Sequence, residues 1–189
     1  MSRRFLLAAA ALVLSLPALV ATAAETYSAD PVHSSIVFRV KHLDVAYFWG
    51  RFSALSGTFA IDDASPEKST LQFAAEVKSV DSGNPKRDEH LRSADFFNAA
   101  QFPTITFKST AVKKAGDRYE VTGDFTMLGV TKSITVSIEK TGEAATKMGQ
   151  RAGFETSFSL KRSDFGMTKL TDIVGDEVKL FISVEGVKK

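Results

Sequence analysis

Apolar and polar residues alternate with a period of two in eight separate stretches of the chain, as in ITVSIE over 134–139. Successive side chains of a β-strand point to opposite faces, so each stretch predicts a strand with one apolar and one polar face. The eight stretches lie near residues 36–40, 52–61, 71–77, 104–108, 119–127, 134–138, 154–160 and 178–184. This repeated pattern predicts an all-β protein.

Short turns join several of the predicted strands to their neighbours in the sequence. Ala115-Gly116-Asp117 and Leu128-Gly129-Val130 are typical of hairpin connections, which make the two strands antiparallel. Eight strands that pair mostly with sequence neighbours predict either a sandwich or a closed up-and-down barrel. Residues 25–189 contain no internal repeat or linker, which predicts a single domain.

The apolar faces of these strands form the candidate lining of a ligand-binding interior. The chain has fifteen phenylalanines but three tyrosines and one tryptophan, whereas a membrane barrel places Tyr and Trp at the lipid interfaces. We therefore expect a water-soluble barrel with its apolar face inward, where small residues such as Ala75, Gly123 and Thr156 leave room. The predicted lining residues are Ile36, Phe38, Val40, Phe52, Phe59, Phe73, Val77, Ile105, Phe107, Phe125, Val136, Phe154, Phe158, Leu180 and Ile182.

The first 24 residues have the pattern of a cleavable secretory signal. A basic start ending at Arg4 precedes an apolar run over 5–20 and the small residues of 21–24. We expect cleavage after Ala23 or Ala24 and export to the periplasm. An uncleaved membrane anchor is the alternative, and Arg3-Arg4 also fits twin-arginine export.

The charge balance and the lack of cysteine narrow the function classes. Without Arg3 and Arg4 the chain carries 22 basic and 22 acidic residues. This balance argues against nucleic-acid binding and against a polybasic membrane anchor, so we expect no nucleic-acid partner and no stable membrane insertion. Because the chain has no cysteine, an exported domain must be stabilised by its core.

The segment NPKRDEHLRSADFFN over 84–98 has the residue types of an active site. Asn84 can cap a helix and Pro85 suits its first position, so we expect a short helix to Arg92 with Asp88 and Arg92 paired on its surface. His90 could be a general base or a metal ligand, but its neighbours Asp88 and Glu89 do not face it on a helix. The other two histidines, at 33 and 42, are nine residues apart and are expected on opposite faces of a strand. We therefore interpret the segment as a structural crossover with neither a catalytic residue nor a metal ligand.

A second unusual segment, HLDVAYFWGRF over 42–52, concentrates aromatic residues. Tyr47, Phe48 and Trp49 would form the entrance of a cavity if they were exposed, because exposed apolar clusters mark binding surfaces. An ordinary buried strand end is the alternative. The sequence leaves both interpretations open.

Six motifs follow one another from about Tyr27 to Gly186: YSADPVHSSIVFRVKHL, RDEHLRSADFFN, FPTITFKST, TGDFTMLGVTKSITV, RAGFE and ISVEG. Together they resemble the YceI-like family of periplasmic lipocalin-like proteins. The resemblance implies an antiparallel eight-stranded lipocalin-like barrel whose apolar interior holds a long isoprenoid or similar lipid. With the residue patterns it predicts short helical segments in a crossover over about 85–97 and near 162–166. It carries no catalytic residue to this chain.

Three functions are compatible with the sequence. The favoured one is a periplasmic lipid carrier that holds a polyisoprenoid, quinone or fatty-acyl chain, with transient contact to a membrane or a lipid donor protein and no cofactor. An enzyme acting on such a lipid would use His90 or the region of Asp164 and Asp172. A structural or stress-protective barrel with a filled interior is the third. Oligomeric state stays open.

Overall fold

The structure, a computed structural model, describes residues 24–189, so the predicted signal segment lies outside the described residues apart from Ala24. The strands are β1 (Tyr27–Ala29), β2 (Ser35–His42), β3 (Ala46–Phe52), β4 (Leu55–Ala60), β5 (Thr70–Glu76), β6 (Val80–Asp81), β7 (Thr104–Ala115), β8 (Arg118–Met127), β9 (Val130–Thr146), β10 (Gly149–Lys161) and β11 (Val174–Lys188). One α-helix, α1, spans Pro85–Arg92, and 3₁₀ helices span Pro66–Lys68, Val77–Ser79 and Arg162–Phe165. None of the helices within 24–189 has the length and apolar character needed to cross a bilayer.

The strands close into an antiparallel barrel. β4, β5, β7, β8, β9, β10 and β11 pair in this order, and β1 pairs with both β4 and β11 to complete the ring. β2 continues the course of β1 along β11, and β3 pairs with β2 before the chain enters β4. The two segments β1–β2 and β3–β4 therefore act as two bent strands of one eight-stranded up-and-down barrel. The predicted barrel is confirmed.

The bends make the two ends of the barrel different. Beyond the bend, β3 pairs with β6 through Arg51–Asp81 and Phe52–Val80 rather than with β5. The chain from Val77 to Pro103 fills this part of the wall, with α1 at its centre. We call this the mouth end, and the opposite end, where β1 pairs with β4, the closed end.

The crossover helix α1 begins where the sequence predicts. The Asn84 side chain accepts a hydrogen bond from the Arg87 amide at 3.1 Å, and Pro85 takes the first turn. The predicted surface pair of Asp88 with Arg92 is wrong. Asp88 is buried and accepts hydrogen bonds from the Ser82 amide and hydroxyl at 2.7 and 2.5 Å. Arg92 donates to carbonyls of the preceding segment, so both side chains fasten α1 to the wall.

The second predicted helical segment is the 3₁₀ helix Arg162–Phe165, which ends at Gly166 in the left-handed conformation with φ of 83°. Arg162 is only 2% exposed, and its burial lowers the pKa of its guanidinium. The guanidinium donates hydrogen bonds of 2.8–3.0 Å to backbone carbonyls of Met167, Lys169, Val174 and Gly175. Since a buried charge must be compensated by hydrogen bonds, the loop over 166–175 folds around Arg162 at the mouth end.

Candidate functional site

A cavity of about 460 Å³ occupies the barrel interior. Its wall is almost entirely apolar and comes from all of the long strands, α1 and the loop over 166–175. The predicted residues that line it are Ile36, Phe38, Val40, Phe52, Phe73, Ile105, Phe107, Phe125, Val136, Phe154, Phe158, Leu180 and Ile182. Strand periodicity therefore identified most of the wall, while the binding role of these residues stays a prediction.

Two predicted lining residues lie elsewhere. Phe59 lines a smaller cavity at the closed end. Val77 is fully buried but belongs to the 3₁₀ helix Val77–Ser79, because β5 ends at Glu76 while the alternation of apolar residues continues one residue past the strand. Neither residue borders the main cavity.

Glycines on neighbouring strands keep the phenylalanine rings against the wall. Phe38 pairs with Gly50, and a Cβ at position 50 would lie 2.4 Å from Cζ of Phe38. A Cβ at Gly123 would likewise lie 2.6 Å from Cζ of Phe107. Each ring thus covers a glycine, where a larger residue would push it into the lumen. The aromatic residues coat the barrel without filling it.

The exposure of the inward side chains also indicates a hollow interior. Ile105, Phe107, Phe158 and Leu180 line the cavity and are only half-buried, although they point into the barrel. In a filled core such central positions would be closely packed on every side. Here they face open space.

The cavity reaches the surface at the mouth end. Its lining there comes from the β2–β3 hairpin with Tyr47, from α1 with His90, and from the loop with Leu170 and Ile173, all of them exposed. The Leu43 amide donates a 2.8 Å hydrogen bond to the Ile173 carbonyl and joins the hairpin to the loop. The opening lies between these elements and α1.

The aromatic segment does not form the entrance as a unit. Phe48 and Tyr47 both line the cavity. The Arg39 guanidinium lies over the Tyr47 ring, 4.3 Å from the ring centre. Trp49 is 48% exposed and packs on Phe181 outside the barrel, with ring centres 5.4 Å apart. Consecutive strand residues alternate between faces, so the three could not all guard one opening. Trp49 is not among the described residues that line the cavity, and the entrance role of the segment stays a prediction.

His90 has a partner that the sequence interpretation missed. Its Nε2 lies 3.0 Å from Oδ2 of Asp95, in the turn that follows α1, and Lys169 Nζ lies 3.7 Å from Oδ1 of the same carboxylate. The hydrogen bond from His90 lowers the pKa of Asp95. Asp95 thereby connects α1 with the loop across the mouth. The turn brings residues five apart together, which helical spacing alone could not predict.

Arg87 and Asp164 at the mouth contact neighbouring side chains. Arg87 Nε donates to Ser82 Oγ at 2.8 Å, and its guanidinium lies 4.8 Å from the Phe48 ring centre. Asp164 lies 3.9 Å from Lys132, and Asp172 is exposed. Neither aspartate is among the described residues that line the cavity.

A cluster of metal-ligand types lies outside the cavity. Asp30, His33 and Glu185 place one ligand atom each within 4.8 Å of one another. Arg151 donates a 2.8 Å hydrogen bond to Asp30 and a 2.5 Å hydrogen bond to Glu185. The hydrogen bond from Arg151 lowers the pKa of Asp30. A guanidinium already compensates these carboxylates, so the cluster is explained as an ion-pair network.

A closed eight-stranded antiparallel barrel around an apolar cavity defines a lipocalin-like barrel. Residues 27–186 match the model of the YceI-like domain. The chain belongs to the YceI-like family, as its motifs indicate.

Relatives and solved structures agree with this assignment. A UPF0312 protein of Yersinia pestis (strain Pestoides F) is 41% identical over 182 residues, covering 93% of this chain and 95% of the relative. The crystal structure of Burkholderia cenocepacia BcnA has a TM-score of 0.77 and 26% identity, covering 83% of this chain and 98% of that one. A polyisoprenoid binding domain from Saccharophagus degradans has a TM-score of 0.67, covering 86% of this chain and 98% of that one, and at 17% identity it shows the fold alone.

Proposed function

We propose that this protein is a periplasmic carrier that holds one long apolar lipid, a polyisoprenoid or a chain of similar chemistry, inside its barrel. The observation that carries the proposal is the apolar cavity of about 460 Å³ with an opening at one end. Binding of a polyisoprenoid by a protein of the same fold supports the lipid class. Export follows from the signal pattern over 1–24.

The size and chemistry of the cavity suit an apolar chain. Small-molecule pockets have volumes of about 300–1,000 Å³, and this one falls within that range. Each buried methylene contributes about 0.8 kcal/mol, so ten carbons supply about 8 kcal/mol before the costs of association. Apolar contacts discriminate weakly between related chains, so we expect binding of several lipid types, including quinones and fatty-acyl chains.

The exposed apolar residues at the mouth suit the delivery of such a lipid. Leu43 and Val45 lie on the hairpin beside the opening, and Leu170 and Ile173 lie on the loop across from it. We expect transient contact of this rim with a membrane or with a lipid donor protein.

An enzyme acting on the lipid is the second candidate, because His90 and Asp95 form an oriented pair at the mouth. A pair of this kind can serve as a general base, and its position beside the cavity is compatible with that role. We favour binding over catalysis, since Asp95 also interacts with Lys169 as part of the link across the mouth. His90→Ala should leave the lipid content unchanged. Loss of turnover of a bound lipid in a folded His90→Ala variant would favour the enzyme.

Organic extraction of the protein purified from periplasm, followed by mass spectrometry, tests the proposal. We expect a long apolar lipid in near-stoichiometric amount, and its removal should lower the melting temperature. The matched variant is Gly50→Ala, whose methyl group would drive the Phe38 ring into the cavity. We expect this variant to carry less lipid than the parent protein. Protein that carries no apolar molecule and that binds none when it is offered would contradict the carrier function.

A further inference from the structure

A second cavity of about 120 Å³ lies at the closed end of the barrel. Part of its wall is apolar, and the ionisable side chains in the wall are Glu25, Tyr27, Asp63, Tyr119, Lys140 and Glu143. We call it the polar chamber. It lies beyond the end of the main cavity that is farthest from the mouth.

Two side chains separate the chamber from the main cavity. Phe154 and Ile138 line both spaces and are themselves buried. The Phe154 ring centre lies 5.1 Å from that of Phe59, which faces the chamber, and 5.8 Å from that of Phe73, which faces the main cavity. The Phe154 ring therefore lies between a ring that faces the chamber and a ring that faces the main cavity.

Phe154 and Ile138 form a partition, and the chamber on one side of it is chemically different from the main cavity on the other side. The Tyr27 hydroxyl lies 3.0 Å from Glu143 Oε1, while Lys140 Nζ lies 2.9 Å from Glu143 Oε2 and 3.0 Å from Asp63 Oδ2. The hydrogen bond from Lys140 lowers the pKa of Glu143, so this carboxylate is charged at neutral pH. Charged groups lose solvation when hydrocarbon is placed against them. An apolar chain end is accordingly stable on the cavity side of Phe154 and much less so beyond it.

We propose that Phe154, supported by Ile138, sets the maximum length of the apolar chain that the barrel accepts. This inference rests on the proposed carrier function. A chain that enters from the mouth extends until its end meets the Phe154 ring. Shorter chains gain affinity with each added carbon, and longer ones leave the excess carbons outside the mouth.

The test is a binding series of straight-chain primary alcohols of increasing length with the lipid-stripped protein. Affinity should rise about fourfold per methylene while the chain lies in the cavity, and it should stop rising at a break-point length. In Phe154→Ala the break point should move to longer chains. Phe158→Ala is the matched control, because it removes the same atoms from a ring that lines the main cavity and not the chamber.

Comparison of the break points of the two variants shows whether the Phe154 ring stops the chain or whether the total cavity volume limits chain length. Equal break-point shifts in Phe154→Ala and Phe158→Ala, or no shift in Phe154→Ala, would overturn the inference while leaving the carrier function in place. Failure of every alcohol to bind the parent protein would instead contradict the carrier function. If Phe154→Ala does not fold, Phe154→Leu opens the partition with a smaller loss of packing, and the same shift is expected.

Discussion

Phe38 on β2 lies directly opposite Gly50 on β3, and its ring covers the glycine so closely that a Cβ there would come within 2.4 Å of Cζ. The ring can lie against the wall only because residue 50 has no side chain. Gly50→Ala should therefore turn the ring into the cavity. We expect lipid affinity to fall about tenfold or more, since overpacking costs about 1–3 kcal/mol and tenfold corresponds to about 1.4 kcal/mol.

Equilibrium binding of a fluorescent long-chain lipid measures this effect. Gly142→Ala is the control, because a Cβ at Gly142 would meet no atom within 4 Å. Equal affinities of Gly50→Ala and Gly142→Ala would show that the Phe38 ring does not limit the space for lipid.

The stability of a Phe107→Ala variant, measured with and without lipid, distinguishes a ligand-filled cavity from a packed core. Phe107→Ala in a packed core would cost about 3–5 kcal/mol with or without lipid. Here the ring borders the cavity, so a bound lipid can move into part of the vacated space. We expect lipid-loaded Phe107→Ala to lose much less stability than the stripped variant, as measured by denaturant unfolding. Lys108→Ala, on the outward face of the same strand, should have little effect in either state.

The stability of the protein should depend more on Asp88 of the crossover helix than on its neighbour Glu89. Asp88→Ala removes the acceptor of the Ser82 amide and leaves that buried donor without its partner. We expect a loss of about 1–3 kcal/mol in the free energy of unfolding. Glu89→Ala makes the same kind of change at an exposed position of α1 and should stay within about 0.5 kcal/mol of the parent. Urea unfolding curves compare the two, and equal losses would contradict the anchoring role of Asp88.

Tyr27 in the polar chamber should ionise at a higher pH than an ordinary tyrosine. Burial and the hydrogen bond with Glu143 raise its pKa to about 12, against 10.0 for an ordinary tyrosine. The native state favours the neutral hydroxyl, so Tyr27 contributes stability below pH 10 that is lost as the pH rises towards 12. An ultraviolet titration of tyrosinate in the folded protein should show a late step that is absent in Tyr27→Phe. Ionisation of Tyr27 near pH 10 in folded protein would contradict the burial of Tyr27 and its hydrogen bond with Glu143.

Strand periodicity predicted the parts of the structure that depend on local pattern. Alternation alone assigned the inward faces, and the Asn84-Pro85 pair fixed the start of α1. It failed at Val77, where the alternation outlasts the strand. At Trp49, residue type suggested a possible entrance, whereas the alternation of strand residues places the side chain on the outer face against Phe181.

The remaining features depend on contacts that no local pattern encodes. The cover of Gly50 by Phe38 follows from the register of two strands, which sequence spacing does not define. The pair of His90 with Asp95 requires the turn after α1, and the burial of Asp88 requires the approach of Ser82. Division of the interior at Phe154 becomes visible only when both cavities are present in three dimensions.

Methyl-resolved NMR of the stripped protein, titrated with a long-chain isoprenoid alcohol, tests most directly whether the barrel interior holds the lipid. The methyl signals of Ile105, Leu180 and Ile182 should shift and saturate at one lipid per protein, because these residues line the cavity. Those of the exposed Val32 and Val130 should stay in place. Shifts confined to the outer methyl groups, or no saturable shift of the inner ones, would contradict a lipid carrier.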